Sequence, residues 1–242
     1  MRAGSLFSGI GGFDLGLERA GHEIIWQVEN DPYCRKVLAK HWPDVPCYGD
    51  IHDCSVHNLE EVDVICGGFP CQPVSVAGKQ RGQDDERWLW PEFARILREL
   101  RPRYALVENV PGLLVRGMGD VLGDLAAAGY DAEWGRVSAA SVGAPHLRKR
   151  VFIVAHSKCE GLEGHTGDGD HRHEPGRINT GPNRSTSEGC LPSGDRLDGD
   201  YWAVEPNVGR VAHGVPARMD RLRGLGNAIV PQVAEWIGRQ LK

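Results

Sequence analysis

Two residues combine a reactive side chain with a place suited to chemistry. Cys71 lies in Gly67-Gly68-Phe69-Pro70-Cys71-Gln72-Pro73-Val74-Ser75, after the apolar run Val62 to Cys66, which reads as a buried strand. Free cysteines are usually buried and inert. Here Pro70 and Pro73 restrict the backbone on both sides, and Gly67-Gly68 lets another molecule approach the main chain closely. A fixed thiol beyond a strand's carboxyl end reads as a nucleophile. Glu108 has the equivalent place after Tyr104-Ala105-Leu106-Val107. If the two strands are parallel neighbours, about 4.8 Å apart, thiol and carboxyl converge on one substrate. The acid can then protonate a ring nitrogen while the thiolate attacks carbon of the same heterocycle. The plain alternative for Glu108 is a helix-capping or salt-bridging acid.

A second constellation lies upstream. Phe7-Ser8-Gly9-Ile10-Gly11-Gly12 is a glycine-rich turn, but Asp14 stands where a dinucleotide fingerprint requires glycine. Glu29 ends the second strand, where an acid can accept hydrogen bonds from a ribose. Asp50 ends the third on the same sheet edge. Each acid alone is more often a cap or a solvated turn residue; together with the turn they describe a pocket for an adenosine without a pyrophosphate.

The elements that must position these residues alternate strand and helix, the pattern of an α/β fold with a parallel sheet. A helix is predicted from about Phe13 to Ala20, with Gly21 at its C-terminal cap. A strand follows over Glu23 to Val28, then a helix from Pro32 to about His41, and a brief strand end at Tyr48 to Ile51. Residues 67 to 88 form a long loop carrying Cys71. Phe93, Ile96, Leu97 and Leu100 have helical spacing. After a helix at about Gly119 to Ala128 come strands near Ala132 to Val137 and Val151 to Ala155. The connection between them is too short for a helical crossover, which makes them antiparallel. A last helix is led by Pro231.

Composition narrows the class. The chain has 242 residues, 40% of them hydrophobic, which suits one large domain or a domain with a small appendage. No run approaches the ~18 apolar residues that would span a membrane, and the start lacks signal-peptide character; a cytoplasmic, monomeric protein is expected. Seven cysteines with no Cys-x-x-Cys pair argue for reduced thiols. The formal net charge of -5 carries no general basic footprint. Local clusters at Arg148-Lys149-Arg150 and Arg218 to Arg223 could still form a phosphate-binding rim. From His156 to Asp200 there are nine glycines, and five Lys or Arg against nine Asp or Glu give -4. Such a segment buries little. Cys159, His165, His171, His173 and Cys190 fall within it, but their spacing matches no standard zinc finger, and no metal is expected. A zinc-dependent base deaminase is excluded, because Val74 occupies its second cysteine position and no histidine has Glu two residues later.

Phe7 to Gly12, Pro70-Cys71-Gln72, Glu108-Asn109-Val110, Arg148-Lys149-Arg150 and Gly226-Asn227-Ala228 occur in an order that resembles the C5-cytosine DNA methyltransferase family, its phage-type and short bacterial members above all. The resemblance covers residues 4 to 155 and about 206 to 242. It implies a Rossmann-like, S-adenosylmethionine-dependent fold with a mostly parallel sheet and an antiparallel last strand. Residues 1–155 would form the catalytic and cofactor-binding domain, 156–213 a short target-recognition segment, and 214–242 a C-terminal segment and helix completing the first domain. In S-adenosylmethionine binding, Phe7 would stack on the adenine, Gly9, Gly11 and Gly12 approach the methionine, Glu29 hold the ribose, and Asp50 and Ile51 contact the adenine edge. Pro70, Leu89 and Asn227 resemble further cofactor-lining positions. Cys71 resembles the nucleophile that adds to C6 of a cytosine flipped out of double-stranded DNA. Glu108 would bond N3 and the exocyclic amine, and Arg148 would contact the base.

The chain departs from the family at His146, where Gln usually precedes the two arginines. With almost no room for a helix before the first strand, the C-terminal helix is expected to pack there. A cognate restriction endonuclease stays open as a partner. Two other activities compete with DNA methylation: cytosine methylation in RNA, and a DNA-binding remnant without turnover, which the acidic recognition segment motivates.

Overall fold

The computed structural model describes residues 1–70, 88–157 and 218–241. Cys71, the rest of its loop and nearly all of the glycine-rich segment lie outside the described residues.

A seven-stranded sheet carries the molecule. Its strands are β1 (Arg2–Leu6), β2 (Glu23–Val28), β3 (Cys47–Tyr48), β4 (Val64–Gly67), β5 (Tyr104–Asn109), β6 (Tyr130–Val137) and β7 (Arg150–Ser157). The order across the sheet is β3-β2-β1-β4-β5-β7-β6. The first five are parallel, and β7 runs antiparallel to both β5 and β6. The mostly parallel architecture with an antiparallel last strand is therefore as expected. So is the adjacency of β4 and β5, whose register sets Gly67 opposite Val107.

β1, β4 and β5 are buried almost throughout, as strands covered on both faces must be. On one face α3 (Trp90–Leu100) and α5 (Met118–Ala127) pack into the larger core, α3 through Phe93, Ile96, Leu97 and Leu100. On the other face α1 (Gly12–Arg19) and the C-terminal helix α7 (Pro231–Gly238) enclose a second core with Phe13, Leu17, Val233, Ala234 and Ile237. The two helix backbones nearly touch. A methyl group on Gly16 would come within 2.5 Å of both Ala234 Cβ and the Pro231 carbonyl.

Helix α2 (Pro32–His41) starts as its residues dictate, with Pro32 in the first turn and the Asp31 carboxylate accepting from the amides of Tyr33 and Cys34. The third strand ends earlier than expected, at Tyr48. Asp50 accepts from the His52 amide and caps a short 3-10 turn over Ile51–Asp53, which takes the chain out of the sheet. Two helices were not anticipated. α4 (Leu113–Arg116) is a single turn after β5, and α6 (Arg218–Asn227) arises within what reads as a charged cluster. Among the described residues, no helix is long and apolar enough to cross a membrane.

Candidate active site

Every candidate residue among the described ones lies near the carboxyl end of the parallel strands or on the connections that reach it. After β1 the chain turns sharply, with positive φ at Phe7 (52°), Gly9 (57°) and Gly11 (86°). Phe7 is costly in this region, and glycine is not. The Phe7 ring stacks on Phe93, 6.4 Å between centroids. The glycines divide their tasks. A methyl on Gly9 would meet nothing within 4 Å; one on Gly11 would strike the Trp42 ring, and one on Gly12 the Ile229 carbonyl. Gly9 thus faces open space, while its neighbours make room for the protein's own packing.

Glu29 closes this turn from the end of β2. Its carboxylate accepts from the Gly9 amide at 2.8 Å and from the Asp31 amide at 2.7 Å. Burial still raises its pKa, against the pull of the Gly9 amide and of Arg223. Asp31 is ion-paired with Arg223 of α6, which ties that helix to the same corner. Asp50 is exposed and held low by the His52 amide and imidazole. Ile51 buries its side chain in the core, and its carbonyl accepts from Arg95. The donor set suits an adenosyl group: an open glycine, a fixed acid beside it, and an exposed acid just beyond the next strand.

The second half of the site lies at β4 and β5. Glu108 is 7% exposed, and its Oε1 accepts from Arg150 Nε at 2.9 Å. A methyl on Gly68 would fall 2.7 Å from Glu108 Oε2. Gly67 likewise makes room for the Leu6 carbonyl. Gly67-Gly68 therefore admits groups of the protein itself, the Glu108 carboxyl among them. Burial pushes the Glu108 pKa up to about 7, outweighing the attraction of Arg150 and Arg148. Such a group both holds and releases a proton near neutral pH.

Beside it, the buried Asn109 donates from Nδ2 to the Phe69 carbonyl at 3.1 Å and accepts from the Val110 amide at 2.8 Å. Asn109 thereby ties the segment leading to Pro70 and Cys71 onto β5. Pro70 is half-buried at the edge of the described residues, and Leu89 is half-buried at the start of α3.

Arg148 has a positive φ of 31°. Its guanidinium donates to the carbonyls of Gly226 (2.9 Å) and Ala228 (2.5 Å), on either side of the exposed Asn227. Those bonds fix the α6–α7 connection, from which Ile229 reaches toward both Gly12 and Gly68. Between this connection and α1 opens a cavity of about 890 Å³, lined among others by Ile10, Gly12, Trp42, Arg148, Arg150 and Ile229.

The structure thus brings Phe7, Gly9 and Glu29 together at one end of the edge, and Gly68, Glu108 and Arg150 at the other. Arg150 and Asn109 were not singled out by sequence. The alternation Arg148-Lys149-Arg150 at a strand entrance was the available signal for Arg150. Among the described residues no cluster of His, Cys, Asp or Glu could hold a metal ion, and the five Cys and His considered for zinc lie outside them.

Comparison with known proteins identifies the family. Residues 1–188 match the model of the C-5 cytosine-specific DNA methylase family. The Type II methyltransferase M.AquIA of Picosynechococcus sp. is 38% identical over 172 residues, 62% of this chain and 69% of the relative. M.HhaI of Haemophilus parahaemolyticus is 33% identical over 154 residues, 62% of this chain but 47% of its own length. A solved structure from an E. coli prophage, described as a DNA modification methyltransferase, superimposes with a TM-score of 0.57 at 29% identity. It covers 65% of this chain and 47% of that one. Against several such relatives the alignment spans only about half of their length. The chain belongs to the C-5 cytosine-specific DNA methylase family.

Proposed function

We propose that the protein methylates C5 of cytosine in double-stranded DNA, with Cys71 as nucleophile and Glu108 as the acid facing the base. The observation that carries this is the Glu108 carboxyl, buried, braced by Arg150, and pressed against Gly68 on the segment that leads to Cys71. A base stacked in a duplex cannot reach such a carboxyl, so the cytosine is flipped out of the helix. The Cys71 thiolate adds to C6 while protonated Glu108 donates to N3, which turns the ring into an enamine with C5 as its nucleophilic carbon. Arg150 keeps the Glu108 carboxyl in place, and Arg148 holds the α6–α7 connection beside it. S-adenosylmethionine, when bound, supplies the methyl group that C5 accepts. Loss of the C5 proton to solvent water then expels Cys71 as its thiolate, and Glu108 takes back the N3 proton as the C5–C6 double bond re-forms.

Phe7, Gly9, Gly11, Gly12, Glu29, Asp50, Ile51, Pro70, Leu89 and Asn227 would hold the cofactor. The open side of Gly9 and the fixed Glu29 carboxylate support that role best. Residues 1–155 and 214–242 would form the catalytic unit, and 156–213 would choose the target.

Transfer of labelled methyl groups to random-sequence duplex DNA, with Cys71→Ser as control, tests the proposal. Wild-type incorporation no higher than the variant's would sink it. A strong preference for transfer RNA in the same assay would move the activity to RNA, the alternative that the site chemistry equally supports.

A further inference from the structure

One row of the central sheet is polar where its neighbours are apolar. Ser5 on β1 stands opposite Gln27 on β2 and opposite Cys66 on β4, and all three are fully buried. Each lies one residue before the end of its strand. α1 crosses this row and drives Asp14, itself 0% exposed, into it. Asp14 Oδ2 accepts from the Ser5 hydroxyl at 3.0 Å, and Oδ1 accepts from Gln27 Nε2 at 2.7 Å. The Ser5 hydroxyl also lies within reach of the Cys66 thiol. The charged group that acts on Asp14 from its own helix is Glu18, which repels it.

A buried carboxyl beside another acid costs stability, and an apolar side chain would fill the same space without that cost. What hydrogen bonds add is direction. Immediately above the row stand the functional residues: Phe7 and Gly9 after β1, Glu29 after β2, and the Gly68 segment after β4. The turn after β1 is therefore held from two sides, by Glu29 on the Gly9 amide above and by Asp14 on Ser5 below. Ser8 adds a bond from its hydroxyl back to the Ser5 carbonyl at 3.1 Å.

We propose that Asp14 is a positioning residue of the cofactor site, which through Ser5 and Gln27 sets the separation between the Phe7–Gly12 turn and Glu29. The inference rests on S-adenosylmethionine being the cofactor of that turn. It assigns a use to the residue that breaks the dinucleotide fingerprint: the side chain a glycine would lack is the one that ties helix to sheet.

The test is calorimetric binding of S-adenosylmethionine to the full-length protein, combined with steady-state kinetics on duplex DNA. Asp14→Ala is expected to weaken cofactor binding about tenfold. The KM for cofactor should rise while kcat at saturating cofactor and the KM for DNA stay within about twofold. Asp14→Asn, which can still accept a hydrogen bond, should recover most of the affinity. A purely structural role would lower the folded fraction and kcat without moving the cofactor KM. If Asp14→Ala does not fold, Ser5→Ala decides, with an expected threefold loss of cofactor affinity. Unchanged affinity in a folded variant, when the wild type binds, overturns this inference alone. A wild type that binds no S-adenosylmethionine overturns it together with the cofactor assignment.

Discussion

The ends of β2 and β5 each carry a glutamate, Glu29 half-buried and Glu108 buried, and their surroundings prepare them for different work. Glu29 is held by main-chain amides, from Gly9 and Asp31, that cannot move without moving the turn. Glu108 is held by a side chain, Arg150, and its second oxygen faces the bare backbone of Gly68. Burial raises both, but Glu108 reaches about 7, where a proton comes and goes under ordinary conditions. One carboxylate is fixed by the main chain, the other is placed to exchange a proton. The contrast comes from how deeply each acid is buried and from what bonds it, since the residue type is the same.

The largest effect that could break this contrast is expected from Glu108→Gln. It removes the exchangeable proton but keeps the shape, so methyl transfer should fall by at least about 100-fold. S-adenosylmethionine binding, measured by calorimetry, should change less than twofold. A comparable loss of cofactor binding would mean that the two ends of the edge are not separate in function.

Next in size is the pH response. If protonated Glu108 is the active form, the rate falls as pH rises through about 7. Arg150→Gln removes the cation that holds this pKa down, so the falling limb should move to higher pH while the maximal rate drops about tenfold. A pH–rate profile of kcat/KM checks both; a limb that moves to lower pH would contradict the assignment.

The opposite end of the edge should respond in cofactor affinity. Glu29→Gln replaces one accepting oxygen by a donor facing the Gly9 or Asp31 amide, and should raise the cofactor KM about tenfold with kcat at saturation nearly kept.

Much of this was legible in the sequence, because it rests on short-range rules. Apolar runs ending in Glu29, Gly67 and Glu108 mark strands, the last two of them parallel neighbours, and Phe7 to Gly12 reads as a glycine-rich turn. The division of labour between Arg148 and Arg150 was not legible. It depends on a positive φ at Arg148 and on carbonyls of Gly226 and Ala228 nearly 80 residues away. Helix α6 was hidden for a related reason: with Arg218, Asp220, Arg221 and Arg223 it reads as a solvated run, and its place is set by the ion pair of Arg223 with Asp31. The Gly67-Gly68 pair reads in sequence as room for another molecule, but the groups that approach it are the protein's own, the Leu6 carbonyl and the Glu108 carboxyl, and these follow from sheet register alone.

The smallest effect concerns stability. Burial lifts the Asp14 pKa from 3.8 to about 6. The neutral form is thus the one the fold favours. Its contribution is complete below pH ~4 and is lost as pH rises through about 6. Asp14→Asn, permanently neutral, should exceed the wild type in stability by up to ~3 kcal/mol at pH 8, with the gap closing toward pH ~4. Denaturant titrations at the two pH values check this. A gap independent of pH would show that the ionisation of Asp14 is not what costs stability.

The central claim is that Cys71 and Glu108 act on one cytosine ring. Duplex DNA containing 5-fluorocytosine tests it most directly, since fluorine at C5 blocks the proton loss that would release the thiol. With S-adenosylmethionine present, the protein should form an adduct that survives denaturation, that is absent in Cys71→Ser, and that forms far more slowly in Glu108→Gln. Failure of the wild type to form any adduct on such DNA, while it binds the cofactor, would contradict the account.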